Sequence, residues 1–163
     1  YVGRTFIEPT QTIRAFSVKL KHNANRILVD KKRVILIDDS IVRGTTSIKI
    51  VQMMREAGAT EVHMRIAAPP IRHPDFYGID TPVQDQLLAA NNSLEEMCDF
   101  IGADSLAFLT VDGLYKAMGH KNGRDNDNPA YTDHCFTGDY PTQLQDQKND
   151  EKIQQLSLLS ERR

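Results

Sequence analysis

The hydrophobic pattern divides the chain into alternating strands and helices. Residues 34–37 are four consecutive apolar residues, mostly β-branched, which is typical of a central parallel strand that is buried on both faces. Residues 46–57 place apolar side chains at helical spacing, and Gly58 suits the C-terminal cap of that helix. Residues 61–68 alternate apolar and polar positions, which predicts a strand, until two prolines at residues 69–70 end it.

The alternation continues in the second half of the chain. Residues 69–92 contain four prolines and indicate an ordered connecting loop with a short helix near residues 84–90. The sequence SLEE at residues 93–96 is a capping box that begins a helix. Residues 105–110 predict a short strand and residues 111–118 a short helix. Together the pattern predicts an α/β fold, a parallel sheet with helices on both faces.

Composition changes along the chain suggest its internal boundaries. Residues 1–32 lack firm periodicity and are expected to form a flexible loop and connection, ahead of a βα core at residues 33–119. Residues 120–141 begin with Gly, Asn and Asp and end with aromatic residues, so we expect an exposed excursion and a closing segment. Residues 142–163 form a polar tail, for which a marginal helix or disorder is expected.

Composition and charge narrow the classes of function. The chain has no apolar run of membrane-spanning length and no basic-then-apolar leader, so a cytoplasmic protein is expected. Residues 1–33 hold eight Lys/Arg against two Asp/Glu, although the net charge is −2. A nucleic-acid arm would explain this, but attraction of a small polyanionic ligand explains it with fewer assumptions. Cys98 and Cys135 show neither metal-ligand spacing nor a disulfide framework.

The candidate chemistry is concentrated where the first apolar strand ends. Asp38 and Asp39 follow it, and in open α/β sheets ligands bind outside the carboxyl ends of the strands. Gly44 lets the backbone approach a ligand closely. Hydroxyls and free amides then follow where the helix begins, which suits a phosphate. No Walker-type phosphate loop and no Gly-x-Gly-x-x-Gly occurs in the chain.

Two carboxylates beside a phosphate cradle suit a ligand that carries both a phosphate and a sugar diol. A ribose 5-phosphate group fits this description, because carboxylates accept hydrogen bonds from hydroxyls. The acids could also hold Mg2+ against a pyrophosphate group and stabilise positive charge on the ribose ring. The alternative is a structural βα turn that happens to be rich in Asp and Thr. Two histidines are candidate catalysts. His63 is expected to lie on a strand face and His73 to pack in a loop, and both structural roles are favoured over catalysis.

Three separated motifs resemble one enzyme family. The sequence DDSIVRGTT at residues 38–46 is similar to the phosphoribosyl pyrophosphate (PRPP) motif of type I phosphoribosyltransferases. YVGRTFI at residues 1–7 and FYGID at residues 76–80 narrow the resemblance to the glutamine amidophosphoribosyltransferases of purine biosynthesis. The resemblance covers nearly all of residues 1–141. It implies a type I phosphoribosyltransferase fold, incomplete at its amino-terminal side, with residues 1–119 as a partial domain.

The resemblance implies a reaction and a role for each residue of the motif. In this family, ammonia derived from glutamine attacks the anomeric carbon of PRPP, pyrophosphate leaves and phosphoribosylamine forms. Asp38 and Asp39 are expected to bind the ribose hydroxyls and Mg2+, and a loop containing Arg4 is expected to close over PRPP. These three are the expected catalytic residues. The 5-phosphate is expected to be held by Ser40, Arg43, Gly44, Thr45, Thr46 and Ser47.

The resemblance also implies partners beyond this chain. The family joins an amino-terminal glutaminase to a carboxyl-terminal phosphoribosyltransferase, so the chain is expected to be a carboxyl-terminal fragment that is inactive alone. Ammonia is expected to come from the glutaminase. The complete enzyme is expected to be a homo-oligomer, and no nucleic-acid or membrane partner is expected. One branch of the family holds an iron–sulfur cluster through cysteines. The corresponding positions here are Asp75, Pro129 and Thr132, so no cluster is expected.

Two other functions use the same motif. A salvage phosphoribosyltransferase would attach a purine or pyrimidine base, although the match at residues 1–7 argues against it. The other is a PRPP-binding regulator or oligomerisation fragment without catalysis. The incomplete sheet keeps this last possibility open. It leaves sheet edges unpaired, so the isolated chain is expected to aggregate or to depend on a partner.

Overall fold

A three-stranded parallel sheet is at the centre of the computed structural model, which describes residues 24–79 and 81–142. Its strands, in spatial order, are β1 Arg33–Asp38, β2 Glu61–Ile66 and β3 Ser105–Phe108. The predictions for the lid loop with Arg4 and for the tail from residue 143 onward lie outside the described residues. The observed strands lie within two residues of the predicted bounds, so the predicted parallel βα core is confirmed.

Helices connect and follow these strands. They are α1 Arg26–Val29, α2 Thr45–Glu56, α3 Leu88–Asn91, α4 Leu94–Ile101, α5 Val111–Ala117 and α6 His134–Thr137, with a 3-10 helix at Gln84–Gln86. α2 connects β1 to β2, whereas α3 and α4 lie between β2 and β3. Among the described residues, none of these helices is long and apolar enough to cross a membrane.

The predicted caps explain where two of the helices begin and end. Gly58 follows α2 with a left-handed φ of +97°, and its N–H donates to the carbonyl of Arg55 at 2.9 Å. This bond satisfies a carbonyl that the helix end would leave open. α4 begins with a complete capping box, because the side chains of Ser93 and Glu96 each accept the other residue's backbone N–H. Both sequence signals are therefore confirmed.

The main core lies on one face of the sheet. It contains Ile41, Val51, Val62, Met64, Ile66, Leu88, Ala89, Met97, Ile101 and Leu106. Cys98 packs against this cluster. On the opposite face Ile35 and Ile37 are 64% and 79% exposed, so β1 is not buried on both faces as its apolar run predicted. The physical reason is that no described element covers this face of β1, as the exposure of both side chains shows.

A second packed cluster follows α5 and involves the predicted excursion. The side chain of Arg124 is 8% exposed and donates to both carboxylate oxygens of Asp133, at 2.7 and 3.2 Å. It also donates to Asp139 at 2.6 Å, and the hydroxyl of Tyr115 donates to Asp133 at 2.8 Å. Most side chains around Arg124 are exposed, but this buried ion pair anchors the segment to α5. Composition alone did not indicate the anchor.

Removal of Arg124 is expected to destabilise the fold strongly. Arg124→Ala leaves the buried carboxylate of Asp133 without its counter-charge, a change that costs about 3–5 kcal/mol of unfolding free energy in other proteins. Arg33→Ala is the control, because the Arg33–Glu61 pair is exposed and should contribute little. Urea unfolding measures both variants. Equal losses of stability would contradict the anchoring role.

The same cluster predicts a loss of stability in acid. The pKa of Asp133 lies below its ordinary value. Burial acts in the raising direction, but the hydrogen bonds from Arg124, Tyr115 and Thr137 lower the pKa by more. Such a carboxyl stabilises the fold above its unfolded pKa of about 3.9, and this contribution is lost as pH falls toward the folded pKa. Asp133→Asn should therefore be less stable at neutral pH and should show a shallower decline in acid. Urea unfolding of both proteins, measured from neutral pH down into acid, tests this prediction. If the variant lost stability in acid as steeply as the unsubstituted chain, the prediction would be refuted.

Candidate functional site

The two predicted acids lie where β1 leaves the sheet. Asp38 ends β1, and its backbone carbonyl accepts the N–H of Ala67, at the end of β2, at 2.9 Å. Its carboxylate accepts the N–H of Asp39 at 3.0 Å, and the carboxylate of Asp39 accepts the N–H of Ser40 at 2.7 Å. The acids therefore occupy the carboxyl edge of the parallel sheet, where ligands bind in this class of fold. Asp39 begins the segment at residues 39–44, here called the anchored loop.

The anchored loop is held from the core side. The side chain of Ile41 is 2% exposed within the main core, and the carbonyl of Val42 accepts the N–H of Leu88 at 2.9 Å. The guanidinium of Arg43 donates to the side-chain oxygen of Gln86 at 3.1 and 3.3 Å. Packing and hydrogen bonds thus fix the loop before any ligand arrives. A fixed loop loses little conformational entropy when it binds.

α2 begins with backbone N–H groups that are open to a ligand. Gly44 is the N-cap residue, and no side-chain hydrogen bond caps the helix in the described structure. The N–H of Ile48 donates to the carbonyl of Gly44 at 3.0 Å, so the helical ladder starts after three intervening residues. Of these, Thr45 is exposed, Thr46 is half-buried and Ser47 is 3% exposed. A helix start without a side-chain cap carries a partial positive charge, and Thr45 and Thr46 hold the two hydroxyls there that are not fully buried.

Gly44 is required by both backbone and space. Its φ of +76° is left-handed, a conformation that glycine adopts without a steric penalty. A Cβ at this position would lie 2.8 Å from Cδ2 of Leu88 and 3.1 Å from Cε1 of Phe100. The sequence indicated that this glycine allows close approach of a ligand. The structure shows that it also allows close approach of α3 and α4 to the anchored loop.

Most of the predicted site is continuous, but its supports were not predicted. Asp38, Asp39 and the anchored loop lead directly into the start of α2, whereas Arg4 lies outside the described residues. The loop is held from more than forty residues away by three residues that were not predicted, Gln86, Leu88 and Phe100. No local pattern in the sequence marks these side chains as supports, because their role depends on tertiary packing.

The two histidines considered as catalysts have structural surroundings. His63 lies on β2, where its ring nitrogens are each 2.8 Å from an oxygen of Ser105 or Glu61. The backbone N–H of His73 donates to the carbonyl of Cys135 at 3.1 Å. As predicted, one is a strand-face residue and the other belongs to an ordered loop.

The sequence of this chain is similar to those of known proteins. No family model matches the chain. It is 62% identical to the amidophosphoribosyltransferase of Rhizobium etli over 161 residues, which cover 98% of this chain and 32% of the relative. The amidophosphoribosyltransferase of Bacillus subtilis is 55% identical, over 88% of this chain and 30% of the relative. Amidophosphoribosyltransferase 1, chloroplastic, of Arabidopsis thaliana is 57% identical, over 86% and 24%. The chain thus spans about a third or less of these relatives.

Solved structures support the same fold. The glutamine PRPP amidotransferase from B. subtilis, complexed with ADP and GMP, matches with a TM-score of 0.69 and 52% identity over 88% of this chain and 31% of that chain. A second structure, described as the allosteric regulatory enzyme of purine biosynthesis, has a TM-score of 0.68 and 51% identity, over 88% of this chain and 30% of that chain. The predicted partial type I phosphoribosyltransferase fold is confirmed.

Gly44→Ala is expected to destabilise the fold more than Gly102→Ala. Both glycines have nearly the same left-handed φ, +76° and +77°, but nothing lies within 4 Å of a Cβ at Gly102. The control should therefore show only backbone strain of about 1–2 kcal/mol. Gly44→Ala should add an overpacking cost of about 1–3 kcal/mol against Leu88 and Phe100. Urea unfolding gives both values, and equal losses would show that the loop is not pressed against the core.

Proposed function

We propose that this chain, which belongs to the amidophosphoribosyltransferase family and spans about a third of its relatives, binds PRPP at the anchored loop and the start of α2. One observation carries the proposal. Carboxylates at the end of β1, a loop fixed by the core and open N–H groups at a helix start follow one another on a single segment. PRPP presents a sugar diol beside a 5-phosphate, which these groups complement.

Each residue of the segment has a proposed role. The carboxylates of Asp38 and Asp39 accept hydrogen bonds from the ribose hydroxyls. The backbone N–H groups and hydroxyls of Thr45 and Thr46 donate to the 5-phosphate, whose charge the start of α2 stabilises. The remaining contacts to the phosphate come from Ser40, Arg43, Gly44 and Ser47.

In the complete enzyme we propose transfer of ammonia to PRPP. The ammonia nitrogen forms a bond to the anomeric carbon, and the bond from that carbon to the pyrophosphate oxygen breaks. The electron pair leaves with pyrophosphate, the attached nitrogen releases one proton to solvent, and the product is phosphoribosylamine. Asp38 and Asp39 would stabilise the positive charge that develops on the ribose ring. The loop around Arg4 would close the site and exclude water.

The residues at the end of β1 fit Mg2+. This ion is bound through one or two carboxylates together with substrate phosphates and water. Asp38 and Asp39 supply the two carboxylates, and the ion would neutralise charge on the departing pyrophosphate. The fit rests on oxygen donors at a sheet edge that is open to a phosphorylated ligand.

Several properties of the complete enzyme belong to the same proposal. The matched relatives are named as amidophosphoribosyltransferases, which favours ammonia over a nucleobase as the acceptor. Ammonia would come from a glutaminase region outside this chain, in a homo-oligomer in the cytoplasm. The chain alone is expected to bind PRPP but not to turn it over, because it spans only about a third of the relatives.

Calorimetric titration of PRPP into the purified chain, with and without Mg2+, tests the proposed site. The unsubstituted chain should bind PRPP more tightly with Mg2+, since the ion joins the carboxylates to the diphosphate. The double variant Asp38→Asn, Asp39→Asn should lose this dependence on Mg2+ and bind at least about tenfold more weakly, as expected when charged hydrogen bonds worth about 1.5–3 kcal/mol are removed.

The control removes the same two charges elsewhere. Glu95→Gln, Asp99→Asn lies on the exposed side of α4 and should bind PRPP as the unsubstituted chain does. Circular dichroism verifies that every variant is folded. Equal affinity in the Asp38, Asp39 variant, or no binding by the folded unsubstituted chain, would refute the proposal.

A further inference from the structure

Three side chains that can bind a metal meet between the connecting loop and α6. An oxygen of Asp75, a ring nitrogen of His134 and the sulfur of Cys135 lie within 4.8 Å of one another. Asp75 is 8% exposed and His134 is 5% exposed, whereas Cys135 is partly buried. Asp75 and His134 are 59 residues apart in the sequence, so folding alone brings them together. None of the three belongs to the anchored loop or to the acids of β1.

The carboxylate of this cluster is already oriented. Oδ2 of Asp75 accepts the backbone N–H groups of Tyr77 at 2.9 Å and Ile79 at 2.7 Å. The other oxygen, Oδ1, lies 2.7 Å from Nε2 of His134. Hydrogen bonds of this kind hold ligand carboxylates and histidines in metal sites. The arrangement therefore presents one carboxylate oxygen and one imidazole to the same small volume.

The imidazole of His134 keeps an unused nitrogen. Its Nδ1 is buried and has no hydrogen-bond partner in the described structure, although the rings of Tyr77 and Tyr140 pack around it with centroids 5.1 and 5.0 Å away. Buried polar atoms in proteins are nearly always hydrogen-bonded or coordinated. Only Nε2, which faces Oδ1 of Asp75, can share an ion with that carboxylate, because Nδ1 points away from it across the ring. Ion binding through Nε2 would replace the hydrogen bond between His134 and Asp75 with two coordinate bonds.

We propose that Asp75, His134 and Cys135 form a binding site for one divalent transition-metal ion of the zinc class. A mixed set of oxygen, nitrogen and sulfur donors favours Zn2+ or Co2+, whereas Mg2+ and Ca2+ prefer oxygen donors. The ion would join the connecting loop to α6 and so stabilise the packing of the closing segment. The site is independent of PRPP binding.

Other chemistry at this cluster fits less well. Burial, and then the charge of Asp75, raises the pKa of Cys135, so its thiol is poorly suited to nucleophilic attack. An iron–sulfur cluster needs several thiolates. The chain has only two cysteines, and Cys98 packs against the main core rather than at this site.

Titration of Co2+ into the reduced, untagged chain tests the proposal. One Co2+ per chain should bind and produce a sulfur-to-cobalt charge-transfer band, which Zn2+ should abolish by displacement. Cys135→Ser should lose the band, and the matched variant Cys98→Ser should keep it. Asp75→Asn should bind Co2+ about 10–100-fold more weakly, as is typical when a ligand or its hydrogen-bonding partner is removed. Zn2+ should raise the melting temperature of the unsubstituted chain and of Cys98→Ser, but not of Cys135→Ser.

A second measurement keeps the test decisive if a variant fails to fold. X-ray absorption at the zinc edge of the loaded, unsubstituted chain should show one sulfur neighbour, with the remaining neighbours nitrogen or oxygen. A zinc ion with only nitrogen and oxygen neighbours would overturn the proposal. Absence of the charge-transfer band at saturating Co2+, or a band that depends on Cys98, would overturn it as well.

Discussion

The parallel pairing of β1 with β2 is the constraint on which the site depends. Its register places Asp38 opposite Ile66, and the bond from the N–H of Ala67 to the carbonyl of Asp38 continues the ladder to the last residue of β1. The carboxylates therefore leave the sheet at a fixed point. Everything proposed for the ligand follows from that position, because the anchored loop and α2 begin there.

The anchored loop connects stability with binding. Ile41 is buried in the same core that holds β2 and α4, and Gly44 admits Leu88 and Phe100 to close contact with the backbone. Folding therefore already carries the conformational entropy cost of ordering this loop, so that cost does not weaken ligand binding. Among the polar side chains of this loop, Arg43 contacts Gln86, and the carboxylate of Asp39 accepts the backbone N–H of Ser40.

Local signals predicted the strands and helix ends better than the contacts between distant segments. The apolar run before Asp38, the capping box at Ser93 and the glycine at residue 58 each act within a few residues. The structure confirms the strand, the capping box and the helix end that they predicted. The exposure of Ile35 was not predicted, because an apolar run does not reveal whether a second layer covers it. Likewise, the ion pair of Arg124 and the meeting of Asp75 with His134 depend on contacts between distant segments.

The fold thus has two centres with different chemistry: a sheet edge with two carboxylates, proposed to bind a phosphorylated sugar, and a buried cluster with oxygen, nitrogen and sulfur donors. The proposed binding of PRPP concerns the sheet edge. Amide chemical shifts of the nitrogen-15-labelled chain, recorded as ribose 5-phosphate is added, test it most directly. The account predicts that the largest changes fall on Gly44, Thr45 and Thr46, where open N–H groups meet the phosphate. Changes confined to other parts of the chain, with these three amides unmoved, would contradict it.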